Sequence, residues 1–287
     1  MKRICIYPNT ATIFPIQKGQ NPYIHVNKEM NIVQKRAIEQ HKELEKAFSN
    51  ISCFTIQYDE ETKSLSDIVF VANGGLCLPR LPKPVVVLPY MKYKQRKEEL
   101  PYLEVIFEKM GLATVEFPGD QSCPFEGQAE IKWFAGGKKA VAGYGFRATK
   151  KTFMILDKLL KKIYKHHGLV PPEILVLPLE SPHYYHLDVA MLEFNDTHCI
   201  VHKRAFSTKS IHKLQDFLGE THVHVIDTPD SFCLNAVVDG HTLVTHKLTD
   251  SLKKELESIT GKHIKQVDTS EFEKSGGSVR CMTMDVF

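Results

Sequence analysis

The chain has 287 residues, of which 43% are hydrophobic and 25% charged, and its net charge is +3. That balance supports a sizeable folded core and excludes a disordered chain, and so small a charge does not argue for nucleic acid as a partner. No apolar run approaches the ~18 residues of a membrane span. "MKRICIYPNT" has no signal-peptide core before its first proline, so a cytoplasmic protein without membrane contact is expected.

Short runs rich in β-branched residues, bounded by Gly, Pro, Asn or Asp, predict strands; apolar residues at helical spacing predict helices. In chain order, "ICIY" (4–7) is followed by a helix near 31–49 carrying Ile32, Val33, Ile38, Leu44 and Phe48. Strands are then predicted at "CFTIQY" (53–58), "DIVFVA" (67–72) and "PVVVLPY" (84–90). A second helix near 101–111 has Pro101 in its first turn, a position that tolerates proline. "TVEF" (114–117) and "AVAGYGF" (140–146) precede a helix over 150–167, whose stripe is Phe153, Leu156, Leu160 and Ile163 and whose stop is Gly168. "EILVLPL" (173–179), "VAMLEF" (189–194) and "CIVH" (199–202) lead to a helix at 208–218 that stops at Gly219. "HVHVID" (222–227), "AVVDG" and "TLVTH" (236–246) lead to a last helix at 250–260, stopping at Gly261, before "VRCMTM" (279–284). The basic runs "KYKQRK" (92–97) and "KKIYKHH" (161–167) lie on or beside helices and read as solvated faces rather than phosphate-binding patches.

The pattern of strands, one helix and more strands recurs about five times at roughly 40–60 residues per unit, a period typical of propellers and arrays. No Pro/Gly/Ser-rich linker divides the chain. The expectation is an α/β protein, a single domain over 1–287 made of five units around a pseudo-symmetric centre. A two-layer sandwich with helices at one end is the alternative.

The seven cysteines are odd in number, scattered and without a CxxC pair. That argues against a disulfide framework and against a structural zinc site. His222 and His224 have no obvious third ligand, so no metal is expected. Most of the thiols read as small core residues, but Cys281 follows Gly-Gly close to the end of the chain, as a presented nucleophile would.

Other segments could share a site with it. In "HYYHLDVAMLEF" (183–194), His186 and Asp188 fall on one face if they begin a strand. Glu126 and Glu130 flank a glycine in "FEGQAEIKWF" (125–134), although acidic pairs at strand edges usually face solvent. Arg147 in "GYGFRATK" (143–150) stands at a strand-to-helix junction, where a guanidinium can grip a carboxylate. This is neither a P-loop nor a dinucleotide fingerprint. "DIVFVANGGL" (67–76) ends in Asn-Gly-Gly, which by itself reads as a turn.

Together, "VFVANGG", "FEGQAE", "GYGFRAT", "YYHLD" and "SGGSVRC" occur in the order and at separations similar to those of the guanidino-group modifying enzymes. These comprise arginine deiminases, dimethylarginine dimethylaminohydrolases, amidinotransferases and arginine dihydrolases. The resemblance covers the chain from about 20 to its end, and it looks closest to the dihydrolase-like branch with "TANAG", "FEGxGD" and "YGFRT". It implies the pentein fold, a five-bladed α/β propeller of ββαβ-type units. It also implies site roles: Cys281 as nucleophile, His186 as acid and base, and Asp188 and Glu130 as carboxylates holding a guanidinium. Glu126 would open the acidic motif, Arg147 would bind a substrate carboxylate, and Asn73 would favour a second hydrolysis. Asn235 is a looser match to a pocket residue. Ala129-Glu130 replaces Gly-Asp, Ala148 stands where Thr is common, and Gly75 stands where the branch has Ala. These departures bear on substrate choice.

The implied function is cofactor-independent hydrolysis of arginine or a related guanidino compound through a cysteine thiouronium. An amidinotransferase, or a binding protein that kept the fold without turnover, are the alternatives. Proteins of this superfamily are often oligomeric, which leaves room for a homo-oligomer here.

Overall fold

The computed structural model describes residues 2–8, 21–24 and 33–287. Its five three-stranded sheets repeat one plan. β1 (Lys2–Ile6) crosses over through α1 (Gln34–Ala47) to β2 (Ile51–Phe54), which pairs parallel to it. β3 (Leu76–Cys77) and β4 (Val85–Leu88) are antiparallel; α2 (Lys94–Lys97) and α3 (Leu100–Lys109) then carry the chain to β5 (Ala113–Glu116), parallel to β4. The third unit is β6 (Ile131–Phe134), β7 (Lys139–Tyr144), α4 (Lys150–His166) and β8 (Glu173–Pro178). The fourth is a helical turn, α5 (Leu187–Ala190), then β9 (Met191–Glu193), β10 (Cys199–His202), α6 (Thr208–Leu218) and β11 (Val223–Ile226). The fifth is β12 (Val237–Asp239), β13 (Thr242–Thr245), α7 (Asp250–Thr260) and β14 (His263–Gln266). After α8 (Ser270–Glu273), β15 (Met284–Val286) returns antiparallel to β1 and completes the first sheet.

In every sheet the central strand pairs antiparallel with one neighbour and parallel with the other. Parallel pairing requires a crossover, and a helix supplies it each time. This is the five-bladed α/β propeller of the pentein type.

Local sequence explains the crossovers. Thr149 and Thr152 form a reciprocal capping box at the start of α4. Its stripe of Phe153, Leu156, Leu160 and Tyr164 packs on Ala140 and Ala142 of β7. Val141, between them, belongs to a different cluster with Leu177, Leu187 and Val201, so β7 is buried on both faces as period-two geometry requires. α7 starts at a Thr249 cap and stops at Gly261 in the left-handed region.

Several expectations need correction. α1 buries Ala37, Gln40, His41, Leu44 and Ala47; Val33 is exposed, and Ile32 lies outside the described residues. The helix is therefore rotated toward two polar side chains. "DIVFVA" is turn followed by a 3-10 helix at Val71–Gly74, and "VRCMTM" is irregular until Met284. Both are wholly buried connections, so they have the apolarity of a strand without ladder partners. Of "CFTIQY", only Cys53 and Phe54 are strand. Among the described residues, no helix is long and apolar enough to cross a membrane.

Candidate active site

The candidate residues sit at equivalent places in the repeat. Asn73 precedes β3, Glu130 precedes β6, Asp188 precedes β9, Asn235 precedes β12 and Cys281 precedes β15, each by one to three residues. One position of the repeat thus supplies a polar side chain from each of the five units. The connections are bonded to one another: the Ala72 amide donates to the Cys281 carbonyl at 3.1 Å, and the Gln128 amide to the Gly75 carbonyl at 2.9 Å. Gly127 has φ +63°, and a Cβ there would lie 2.7 Å from the Gly75 carbonyl oxygen. Only glycine lets these two loops approach so closely.

Cys281 is buried. The Asn235 amide donates to its sulfur at 3.1 Å and to the Asp188 carbonyl at 3.1 Å. The Asn235 carbonyl oxygen accepts from the Arg280 and Cys281 amides at 3.0 and 3.2 Å, so the asparagine is fixed while it points at the sulfur. The thiol donates to Asp188 Oδ2 at 3.5 Å. Burial and the Asp188 charge push the thiol well above its ordinary value, against the pull of Asn235. In the free protein Cys281 is a thiol.

His186 is the residue before α5, and Asp188 lies within that turn. The expected strand is a helical turn, so a shared strand face does not relate the two side chains. His186 Nε2 is 2.8 Å from Glu126 Oε2 and 3.8 Å from Glu130 Oε1. Burial pulls the imidazole below its ordinary value, and the Glu126 charge opposes this only in part. The ring is neutral near pH 7. Glu126 also receives Arg147 at 2.7 Å and the Lys92 amide at 3.1 Å. Burial disfavours its charge, but Arg147 and His186 prevail and hold the carboxyl well below the usual carboxylate range. The Arg147 guanidinium lies 4.8 Å from the ring centres of both Tyr93 and Tyr185, a cation–π sandwich.

The acidic pair does not face solvent: Glu126 is 0% and Glu130 1% exposed. Glu130 behaves oppositely to Glu126. Among the described residues its oxygens lack a well-formed hydrogen bond, and burial and the Glu126 charge raise it well above the ordinary value. Asp188 Oδ1 likewise has no hydrogen-bond partner among the described residues, and burial raises its carboxyl although His186, Lys132 and Arg280 resist. Two buried carboxyl groups with unused acceptors therefore flank the sulfur and the imidazole. That is a costly arrangement without a cation to satisfy it.

Asn73, Arg147, His186 and Cys281 border one small cavity with Asp67, Arg96 and Tyr185, about 10 Å³ in volume. That is room for one water. A larger cavity of about 430 Å³, lined by Arg3, Trp133, Glu193, Arg280 and Asp285, touches none of the candidate residues. Its main charges pair internally, Arg3 and Arg280 with Asp285 at 2.8 and 2.7 Å, so it does not compete as the reacting centre.

Sequence reasoning missed Arg96, Glu99 and Asp67. Arg96 belongs to the basic run read as a solvated face, yet it is buried. It donates to the Asn73 side chain at 3.2 Å and pairs with Glu99 at 2.6 Å. Burial raises Glu99 to about 8 despite Arg96. One buried arginine among half-buried and exposed lysines carries no signal in sequence. Asp67, which opens "DIVFVANGG", and Tyr185, inside "HYYHLD", could have been found by asking which polar residues adjoin those motifs.

The fold and this cluster of thiol, imidazole and carboxylates define the guanidino-modifying pentein class. The chain belongs to the family described as N,N dimethylarginine dimethylhydrolase, eukaryotic, whose profile matches residues 2–287. It is 28% identical over 255 residues to the bifunctional arginine dihydrolase/ornithine cyclodeaminase ArgZ of Synechocystis, covering 88% of this chain and 34% of that protein. The chain thus spans about a third of the length of that relative. It is 26% identical over 275 residues to the N(G),N(G)-dimethylarginine dimethylaminohydrolase of Mycobacterium tuberculosis, covering 95% of this chain and 82% of that protein. The crystal structure of a variant ArgZ N-terminal domain, covalently bound to a reaction intermediate, superposes with a TM-score of 0.82 at 25% identity, covering 99% of this chain and 96% of that one.

Proposed function

We propose that this chain hydrolyses the guanidine of arginine or a methylated arginine through a covalent intermediate on Cys281. The observation that carries the reading is a pair of buried carboxyl groups, Glu130 and Asp188, with acceptor oxygens left over among the described residues, beside a hydrogen-bonded thiol and a neutral imidazole. The family match and the covalent intermediate in the ArgZ domain support it.

The chemistry follows from the charges. A guanidinium is a poor electrophile until its plane is fixed, and carboxylates on either side fix it. Its positive charge offsets the negative field that keeps Cys281 protonated, so the thiol proton passes to His186. The thiolate, held by the Asn235 amide, attacks the guanidine carbon, and His186 returns the proton to the departing nitrogen. A thiouronium remains. His186 then takes a proton from water, whose oxygen attacks the same carbon, and the carbon–sulfur bond breaks to restore the thiol. Glu126 orients the imidazole, as its ion pair with Arg147 fixes its own position. Arginine exceeds the closed cavity, so its walls must part on binding. The seven free thiols suit a reducing, cytoplasmic setting, and we read residues 1–287 as one domain because β15 completes the sheet begun by β1.

Two hydrolases compete. The family match favours loss of a methylamine from dimethylarginine. Asn73, whose side-chain nitrogen has no partner among the described residues and which stands in the wall of the cavity, favours continued hydrolysis of arginine to ornithine. Product analysis after incubation with arginine and with dimethylarginine, with and without glycine, tests the assignment. Citrulline from dimethylarginine alone supports the first, and two ammonia per ornithine from arginine supports the second. Glycine-dependent guanidinoacetate would point to an amidinotransferase, and no turnover of any substrate to a binding protein.

A further inference from the structure

Cys5, Cys53 and His41 gather where the β1–β2 pair meets the crossover helix α1. Cys5 and Cys53 are direct partners across the parallel β1–β2 ladder, and His41 lies on the buried face of the crossover helix α1. The two sulfurs and one imidazole nitrogen all lie within 4.8 Å of one another. His41 is 0% exposed, and neither ring nitrogen has a well-formed hydrogen bond among the described residues. The Tyr7 ring packs against it in a T-shaped contact, with ring centres 5.5 Å apart. A buried imidazole with so little hydrogen bonding stands in a place where the helix stripe could carry an aliphatic side chain. A neutral imidazole donates a lone pair to a metal.

We propose that Cys5, His41 and Cys53 form a zinc site that ties β1, α1 and β2 together. Two thiolates and an imidazole are a soft donor set suited to zinc. Zinc–ligand bonds of roughly 2.0–2.3 Å place tetrahedral ligand atoms about 3.5–4 Å apart, so the observed triangle closes with small side-chain shifts. Cys53 is only half-buried, which provides an entry path and leaves the fourth position to water. Both thiols release their protons on binding, so affinity rises with pH. The ligands come from three separate elements, so no finger-like spacing marks them in the sequence. The site shares no residue with the Cys281 centre.

The test uses the full chain carrying Cys281→Ser, which removes the active-site thiol. Titration with cobalt(II) should give thiolate-to-cobalt charge-transfer and tetrahedral d–d bands that saturate at one equivalent and are bleached by one equivalent of zinc. Zinc should raise the melting temperature. Cys53→Ser, at a half-exposed position, should abolish the bands and the zinc shift while the circular dichroism is unchanged. His41→Asn should weaken binding at least tenfold. Absence of the bands, bands of equal strength in Cys53→Ser, or a Cys5–Cys53 disulfide in peptide mapping of the purified protein would overturn the proposal.

Discussion

Asn235 uses its whole amide: one end is pinned by two backbone N–H groups and the other donates to Cys281 and Asp188. A hydrogen bond to a charged acceptor contributes about 1.5–3 kcal/mol. Asn235→Ala is therefore expected to slow alkylation of Cys281 by roughly 10- to 100-fold and to move its pH dependence to higher pH; stopped-flow alkylation measures both. Glu130 gives a second residue-scale expectation. Burial and Glu126 keep it protonated above the ordinary carboxylate range, whereas a bound guanidinium favours the anion. Binding should thus release a proton, and affinity should rise with pH until Glu130 ionises in the free protein. Calorimetry of Cys281→Ser with arginine, in buffers of different ionisation enthalpy, would register that proton, and Glu130→Gln should abolish its release. The acidic, thiol and imidazole groups were legible because they stand in short motifs. Arg96 and Glu99 were not, since burial of a charged side chain depends on contacts from distant units.

At the scale of elements, the long helices were readable because their apolar stripes, caps and terminal glycines agree, as in α4 and α7. The buried loops were not: Asp67–Ala72 has strand-like composition, but its backbone bonds close turns and contact Cys281. Hydropathy reports burial and is silent on the ladder. Gly127→Ala should cost about 2–3 kcal/mol, from the positive φ and the clash with two backbones, and should reduce kcat; chemical denaturation and steady-state assays check it. His246 joins the loop before Asn235 to α8, contacting Asp230 and Glu273 at 3.1 Å each. Burial alone would lower its pKa, but the two carboxylates override this and raise it to about 9. Because the folded value exceeds the unfolded one, its contribution is complete below pH ~6.5 and fades as pH rises through about 9. His246→Gln should lose on the order of 2–3 kcal/mol at pH 6, and the gap to the parent should narrow by pH ~10 in paired thermal melts.

At the scale of the molecule, the fivefold period was visible in the spacing of strands and helices, whereas the closure of the first sheet by β15 was not. That pairing joins residues almost a whole chain apart and leaves only weak local signals. Asp285 on β15 binds Arg3 of β1 and Arg280 beside the nucleophile, at 2.8 and 2.7 Å. Asp285→Ala would take the hydrogen-bonded carboxylate from buried Arg280 and one of the two carboxylates from buried Arg3, and should cost about 3–5 kcal/mol, seen as an early unfolding midpoint. The same closure sets Cys281 among the connections that carry His186, Asp188, Glu130 and Asn235. Rapid acid quench with arginine, followed by peptide mass spectrometry, tests that convergence most directly. The account predicts an adduct on the Cys281 peptide with the mass of arginine less ammonia, and the same adduct from dimethylarginine after loss of dimethylamine. An unmodified Cys281 under turnover, or an adduct that has lost the ornithine portion, would contradict it.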